Sequence, residues 1–390
     1  MTMTRLAPTP RLLLGPGPSN LDPQVQSVVT APLVGHLDPQ FLEIMNESMI
    51  GLRQVYGTTN VHTVPISGTG SSGLEALITN LLEPGDECVV GVIGYFGQRL
   101  QDMAERTGAN VRIIEAPLGE ILSPDQLEAE LKKKSADVVA LVHAETSTGA
   151  CQPLKEMADV AHRYGALLVA DCVTSLGGMP VDIDKTGVDA AGSCTQKCLA
   201  APPGLGPITI NNKAWERIKA RKTPVPSWYL DLSTLLQYWD EGLQQRAFHH
   251  TAPILSVYSL HEAVRLCLEE GLEARYERHD LMHRAFVAGL EAMGLSLFTP
   301  EGHRLPMLHV VNSPEGIDEA VVRRRLLGQN IEIAGGFGPL QGKTWRIGLM
   351  GYNARSENVL TLLSALESAL TAEGFKLQRG AGVDAAMAVL

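Results

Sequence analysis

Three stretches of this chain carry residues whose types and spacing suit chemistry on a small anionic ligand. The first is Ser67-Gly68-Thr69-Gly70-Ser71-Ser72-Gly73, which follows a short apolar run and precedes LEALITNLLEPG. A glycine-rich turn that opens a helix exposes backbone N–H groups at the positive end of the helix dipole, a natural cradle for phosphate. Hydroxyls of Ser67, Thr69 and Ser71 add donors. The lysine of a nucleotide-binding glycine loop is missing and the dinucleotide glycine spacing is incomplete, so the stretch alone reads equally as a tight turn into a helix cap. The second is Asp171, just past the apolar run ALLVA. A carboxylate at the end of a buried strand is costly unless paired. A pyridine nitrogen is one suitable partner, because the aspartate would keep it protonated and make its ring an electron sink; a cap on the next turn is the plainer role. The third is Lys197, in GSCTQKCLAAPPG. A lysine in a partly desolvated, polar-lined site has a lowered pKa and can attack a carbonyl to form an imine. Without the other two stretches, a surface lysine before a turn would be the better reading.

These residues need a scaffold that brings them together. From about Val61 to Ile210 the chain alternates apolar runs with amphipathic stretches. ECVVGVIG, ADVVALVHAE and GALLVADCVTS read as buried strands, and FGQRLQDMAERTG and PLKEMADVAHRYG as helices stopped by glycine. Strand and helix in alternation predict an α/β fold with a mostly parallel sheet covered on both faces. Active sites of such sheets lie at the C-terminal strand ends, where Asp171 falls. Ile254 to about Met293 reads as one long helical stretch leaving the large domain. Short strands (LPMLHVVN, IEIAGG, TWRIGLMG) and helices (DEAVVRRRLLG, SENVLTLLSALESAL) follow. The expected division is an N-terminal arm, 1–20, a large domain, 21–255, and a small α+β domain, 256–390. No internal repeat is visible.

Bulk properties narrow the function classes. The chain has 390 residues, 32 lysines and arginines against 43 aspartates and glutamates, and a net charge of −11. That balance opposes nonspecific contact with nucleic acid or an anionic membrane. Lys132-Lys133-Lys134 reads as a solvated helix end. No stretch approaches the ~18 apolar residues of a membrane span, and the N-terminus lacks the pattern of a secretory signal. Six scattered cysteines (Cys88, Cys151, Cys172, Cys194, Cys198, Cys267) form no CxxC pair and fit a reducing cytoplasm. Cys194 and Cys198 read as small buried fillers around Lys197. No metal site is expected: His261-Glu262 is followed by Arg265 where a zinc motif needs histidine, and His249-His250 has no further ligand at suitable spacing.

The order of phosphate cradle, strand-end aspartate and lysine resembles the fold-type-I pyridoxal-phosphate enzymes. LGPGPSNL, SGTGSSGLEA, GYFGQR, HAETSTGACQPL, VADCVTSLGGMPVDID, SCTQKCLAAPPG, FHHTAP and RIGLMG, in order from about Leu14 to Gly351, are similar to the alanine/serine–glyoxylate aminotransferase family of class V. The resemblance implies a homodimeric transaminase with pyridoxal 5′-phosphate held by Lys197 as a Schiff base and paired through Asp171. It implies a phosphate cradle of Thr69, Gly70, Ser71 and Gln196, with Thr251 supplied by the neighbouring subunit. Thr146 would lie near the ring oxygen, Phe96 would stack on the ring, and Arg346 would hold the substrate carboxylate through its bidentate fork. His36 and Phe248 fall at substrate-side positions. This chain departs from common family residues at Phe96 (tryptophan), Ser71 (histidine) and Phe248 (tyrosine).

The resemblance implies a small donor, alanine or serine, and glyoxylate or pyruvate as acceptor. PLVGHLDPQFLEIMNESM is similar to the ureidoglycine–glyoxylate branch, although that branch favours amides where His36 and Phe248 stand. The tail KLQRGAGVDAAMAVL is similar to the pyridoxamine–pyruvate branch. A cysteine desulfurase fits less well, since its lysine follows histidine where Gln196 stands. A non-catalytic binding protein would be favoured only by loss of Lys197, Asp171 or Arg346.

Overall fold

The computed structural model describes residues 3–239 and 246–390. Its large sheet has seven strands: His62–Ser67 (β1), Glu87–Val92 (β2), Asn110–Glu115 (β3), Val138–Val142 (β4), Leu167–Asp171 (β5), Ala190–Gly192 (β6) and Leu205–Ile210 (β7). They lie in the order β1-β7-β6-β5-β4-β2-β3. β7 runs antiparallel to both neighbours, and the other pairings are parallel. All five residues of β4 are buried, the pattern of a strand covered on both faces. The three chemical stretches converge because of this order. β1 ends at Ser67, β5 ends at Asp171 paired with Gly192 of β6, and Lys197 lies in the segment leaving β6.

Among the described residues two large cores stand out, beside two small clusters. The larger surrounds the sheet, with Val89, Leu141, Leu168, Leu74 and Leu100 among its members. The smaller gathers Phe286, Trp345, Ile347, Leu362 and Leu366 beside a three-stranded antiparallel sheet of Leu308–Asn312, Thr344–Gly348 and Ala334–Gly335. The stretch expected as one long helix is two, Ile254–Glu270 and Leu272–Ala292, broken at Gly271 with φ +84°. The first helix buries Val257, Leu260, Val264 and Cys267 in the large core, and the second buries Met282, Ala285 and Phe286 in the small one. The change of core falls at Gly271, later in the chain than the composition suggested, because the apolar face of 254–270 meets the Pro39–Tyr56 helix.

The N-terminal arm belongs with the small core. Leu12–Leu13 pairs in parallel with Ile331–Glu332, and Leu14 is fully buried there. The Lys132–Lys134 run ends a helix and is solvated, each lysine pairing with a glutamate. Among the described residues no helix is long and apolar enough to cross a membrane.

A half-buried ionic knot secures the turn between the cores. Glu270 accepts from Arg275 Nη1 (2.6 Å) and Arg278 Nε (2.5 Å), while Arg278 Nη1 reaches the Ala354 carbonyl at 2.7 Å. His279 accepts the Gly351 N–H at 2.9 Å, and its Nδ1 lies 2.8 Å from the Arg275 carbonyl. These contacts fix a neutral tautomer, and burial beside two arginines pushes His279 down to about 3. Below the ordinary histidine value of about 6.5 the unfolded chain takes up a proton that native His279 refuses. Its contribution to stability therefore falls as pH falls, by up to about 1.4 kcal/mol per unit. Denaturant melts at pH 7 and pH 5 should show a shallower pH dependence in His279→Asn than in the parent; equal slopes would refute the assignment.

Candidate active site

Lys197 is held by backbone contacts that fix its stem. Ser19 Oγ donates to the Lys197 carbonyl at 2.8 Å, Ser19 N to the Gln196 carbonyl at 2.9 Å, and Arg275 Nη2 to the Cys198 carbonyl at 2.6 Å. The Lys197 amine donates to the Pro16 carbonyl. Gly17, with φ +107°, lies so close that an added Cβ would stand 2.5 Å from Lys197 Cδ and 2.9 Å from Nζ. Only glycine allows the arm to cross there. Burial lowers the amine's pKa, and the charge of Arg346 adds to the lowering, against Asp171 and the flanking thiols. That favours the free base a nucleophile needs. Burial pushes Cys194 up to about 11 and Cys198 up to about 12, so both stay protonated thiols beside it.

Asp171 is 2% exposed at the end of β5. One carboxylate oxygen accepts the Val173 N–H at 2.9 Å, and the other lies 3.8 Å from Arg99 Nη2. Burial raises its pKa, partly offset by Arg99 and that N–H. Arg99 closes the GYFGQR stretch, where only Phe96 has an expected role. It stands one helical turn beyond Phe96 on the Tyr95–Arg106 helix, which brings both to one face. Its Cζ lies 4.7 Å from the Phe96 ring centroid, and Nη1 donates to Ser71 Oγ at 3.1 Å. One guanidinium thus touches the aromatic wall, the acid and the glycine-rich turn.

That turn is the start of the Gly70–Leu81 helix. Thr69 is its N-cap residue in extended conformation and makes no side-chain cap hydrogen bond, which leaves its hydroxyl and the first helical amides available. Ser67, just before the turn, meets His250 Nε2 at 2.6 Å. Glu145, fully buried, organises the opposite side. It accepts from Ser147 Oγ (2.6 Å), Ser147 N (2.9 Å) and the Phe96 amide (3.0 Å), and so fixes the first turn of the helix bearing Phe96.

Thr69, Gly70, Ser71, Phe96, Thr146, Asp171, Gln196 and Lys197 line a single cavity of about 240 Å³, together with Arg99 and Val173. A larger groove of about 1430 Å³ beside Arg11, Asn330 and Arg379 contains none of them, so convergence marks the site and size does not. The cavity fits pyridoxal phosphate on its own terms. It has helix amides at one end, a buried acid, an aromatic face and an amine. Gln196 Oε1, buried, has no hydrogen-bond partner among the described residues and adds an unsatisfied polar amide.

Arg346 stands beyond the cavity edge on the Thr344–Gly348 strand, 6% exposed. Nε donates to the Gly335 carbonyl at 2.8 Å, and the Phe337 ring centroid lies 3.9 Å from Cζ. Among the described residues neither Nη atom has a protein acceptor. Burial lowers its pKa to about 10 against the pull of Glu145. A buried guanidinium with an open fork is a carboxylate receptor by its chemistry.

Besides Arg346, three expected residues do not line the cavity of a single chain. His36 and Phe248 contact one another, with ring centroids 5.4 Å apart, and Phe248 is 61% exposed. Thr251 is exposed, next to the His250 that meets Ser67. His249 stacks on Trp228 at 4.6 Å.

Known proteins are similar to this chain over nearly its whole length. The family model described as "Aminotransferase class-V" matches residues 25–360. The (S)-ureidoglycine–glyoxylate transaminase of Bacillus subtilis is 42% identical, covering 97% of this chain and 95% of that one. A crystal structure of that species' ureidoglycine–glyoxylate aminotransferase superposes with a TM-score of 0.96 at 43% identity over 99% of both chains. The alanine–glyoxylate aminotransferase of Mus musculus is 40% identical over 92% of this chain and 87% of that one. The solved alanine–glyoxylate aminotransferase of Nostoc sp. gives a TM-score of 0.92 at 47% identity, covering 95% of this chain and 98% of that one.

Proposed function

This chain belongs to the class-V aminotransferases, enzymes of the fold-type-I class that use pyridoxal 5′-phosphate, and from that premise we propose that it moves an amino group from a small amino acid, alanine or serine, to glyoxylate or pyruvate. The observation that carries the reading is the meeting of Lys197 and Asp171 in one small cavity, with the open fork of Arg346 beyond its edge. Glyoxylate stands in the names of both groups of relatives. The reaction would proceed by a ping-pong course, the donor leaving as its oxo acid before the acceptor enters.

The cofactor supplies an aldehyde and an electron-withdrawing ring. The chain supplies the rest. Lys197 Nζ would hold the aldehyde and then, once freed, carry a proton to and from the substrate Cα. Asp171 would keep the ring nitrogen protonated. Thr69, Gly70, Ser71 and Gln196 would bind the phosphate, Phe96 would cover one ring face, and Thr146 would stand by the ring oxygen. Arg346 would grip the carboxylate that donor and acceptor share, and so turn the reacting carbon toward Lys197.

The reading includes a homodimer in which Thr251, His36 and Phe248 of each chain serve the other's site. Its support is their position outside their own cavity. Leu37 at 50%, Phe248 at 61% and Trp228 at 67% exposure leave an apolar surface in the same region, more than scattered surface residues need. Light scattering should give twice the chain mass of 41.9 kDa. Six free thiols suit a reducing compartment, the cytoplasm.

A second reading, ureidoglycine as donor, is favoured by the 42% identity across nearly the whole of both chains. Against it, His36 and Phe248 offer no amide to a ureido group. The test is direct: load the protein with cofactor, then add L-alanine, L-serine and ureidoglycine separately. Loss of the visible band with alanine or serine supports the first reading. Loss with ureidoglycine alone transfers the assignment to the second, and a protein that develops no band refutes both.

A further inference from the structure

Arg346 is tied to the cofactor cavity through aromatic rings that cross from one core to the other. Phe337 lies in the loop that leads from Ala334–Gly335 to the Thr344–Gly348 strand, on the small-core side. Its ring covers one face of the Arg346 guanidinium at 3.9 Å. Its other contact is Tyr95, the first residue of the Tyr95–Arg106 helix on the large-sheet side, with centroids 4.9 Å apart and planes inclined at 26°. Tyr95 meets Phe96 edge-on at 5.4 Å, and Phe96 is a wall of the cavity. Phe337 also lies edge-on to Phe96 at 6.3 Å.

Burial of apolar surface does not account for this arrangement. Phe337 is 37% exposed and Tyr95 49% exposed, so neither is a core residue of its own unit. What the stack does is restrict Arg346. The Gly335 carbonyl holds the Nε edge and Phe337 holds one face, so the guanidinium plane is set and only the two Nη atoms remain to bind. An arginine side chain loses much rotamer freedom when it binds, and fixing its plane beforehand removes part of that cost. A π face also suits a guanidinium better than an aliphatic surface does, because the ring's negative face attracts the cation.

We propose that Phe337 is the positioning residue of the substrate-carboxylate subsite, and that its stack on Tyr95 couples the plane of Arg346 to the wall of the cofactor cavity. The inference rests on the reading of Arg346 as the carboxylate-binding group. Its consequence is that small acids are gripped well only when the two cores are seated against one another through this stack.

The test uses the holoenzyme and four variants, Phe337→Ala, Phe337→Leu, Phe337→Tyr and Arg346→Gln, with KM and kcat measured for L-alanine and for glyoxylate. Phe337→Ala should raise both KM values about tenfold and leave kcat within about twofold, the scale of a desolvated cation–π contact. Phe337→Leu, apolar and of useful bulk but lacking a π face, should behave like the alanine variant, whereas Phe337→Tyr should restore both KM values. Arg346→Gln should raise both by a larger factor. The proposal fails if Phe337→Leu restores KM, or if Phe337→Ala changes neither KM while Arg346→Gln changes both; the carboxylate reading then stands. If Arg346→Gln itself leaves both KM values unchanged, the underlying reading has failed, and the role of Phe337 with it.

Discussion

Lys197→Ala is expected to lower turnover by at least about 10⁴-fold and to abolish the visible band of the bound cofactor. Lys197 is the one lysine among the residues lining the cavity, so no neighbouring amine can replace it. Its stem is held between Gly17 and the backbone contacts of Ser19 and Arg275, which remain when the side chain is removed. The fold should therefore survive, and the loss should be chemical. Absorbance after incubation with pyridoxal phosphate and gel filtration, with transamination measured on the same sample, separates the two. A Lys197→Ala protein that turned over at the parent rate would remove the catalytic assignment, whatever its spectrum.

Asp171→Asn is expected to cost about 10²–10³-fold in kcat, the scale of losing one preorganised charged contact at a reacting group. Asparagine has nearly the same shape and can keep the Val173 N–H contact of 2.9 Å through its carbonyl oxygen. It cannot hold the negative charge that keeps a ring nitrogen protonated. The variant also leaves Arg99, 3.8 Å away, without its anion. The kcat loss should therefore come with weaker retention of the cofactor, measured as the rate at which the visible band is lost on dilution. A variant with parent kcat would show that the carboxylate acts only as a cap for Val173.

How much of this was legible in the sequence depends on whether a feature has a local cause. The strand ending at Asp171 was readable from its unbroken apolar run, although the aspartate alone also read as a cap on the next turn. The glycine-rich turn and Lys197, each beside glycine or proline, gained meaning only from their order along the chain with Asp171. The Pro39–Tyr56 helix was not among the elements expected from the sequence, although its ends are set by local chemistry: Asp38 accepts from Gln40 N at 2.8 Å ahead of Pro39, and Gly57 ends the helix with φ +64°. Phe337 and Arg275 carried no local signal, and Arg99, though it closes GYFGQR, had no expected role. Arg99 matters because its helix leans over the end of β5, Phe337 because another core brings Tyr95 to it, and Arg275 because a carbonyl 77 residues earlier is its acceptor. The break at Gly271 was hidden because one glycine between two helix-forming stretches also occurs within continuous helices. The places of His36, Phe248 and Thr251 follow from neither sequence nor a single fold, since the reading that uses them needs a second chain.

The crossing of the N-terminal arm over Lys197 has a consequence for synthesis. Leu12 and Leu13 pair with Ile331 and Glu332, the Gly348 amide donates to the Leu14 carbonyl at 2.8 Å, and Asn353 reaches the Leu13 carbonyl 340 residues along the chain. The arm, made early, therefore acquires its place only once residues some 340 positions further along have emerged. Closing so long a loop is slow compared with the local pairing of the large sheet. During that interval the sheet can form with Pro16 and Gly17 not yet in position over the lysine. The nascent enzyme would pass through a stage in which its reactive amine is open to any aldehyde in the cell, and completion of the C-terminal unit would end that exposure.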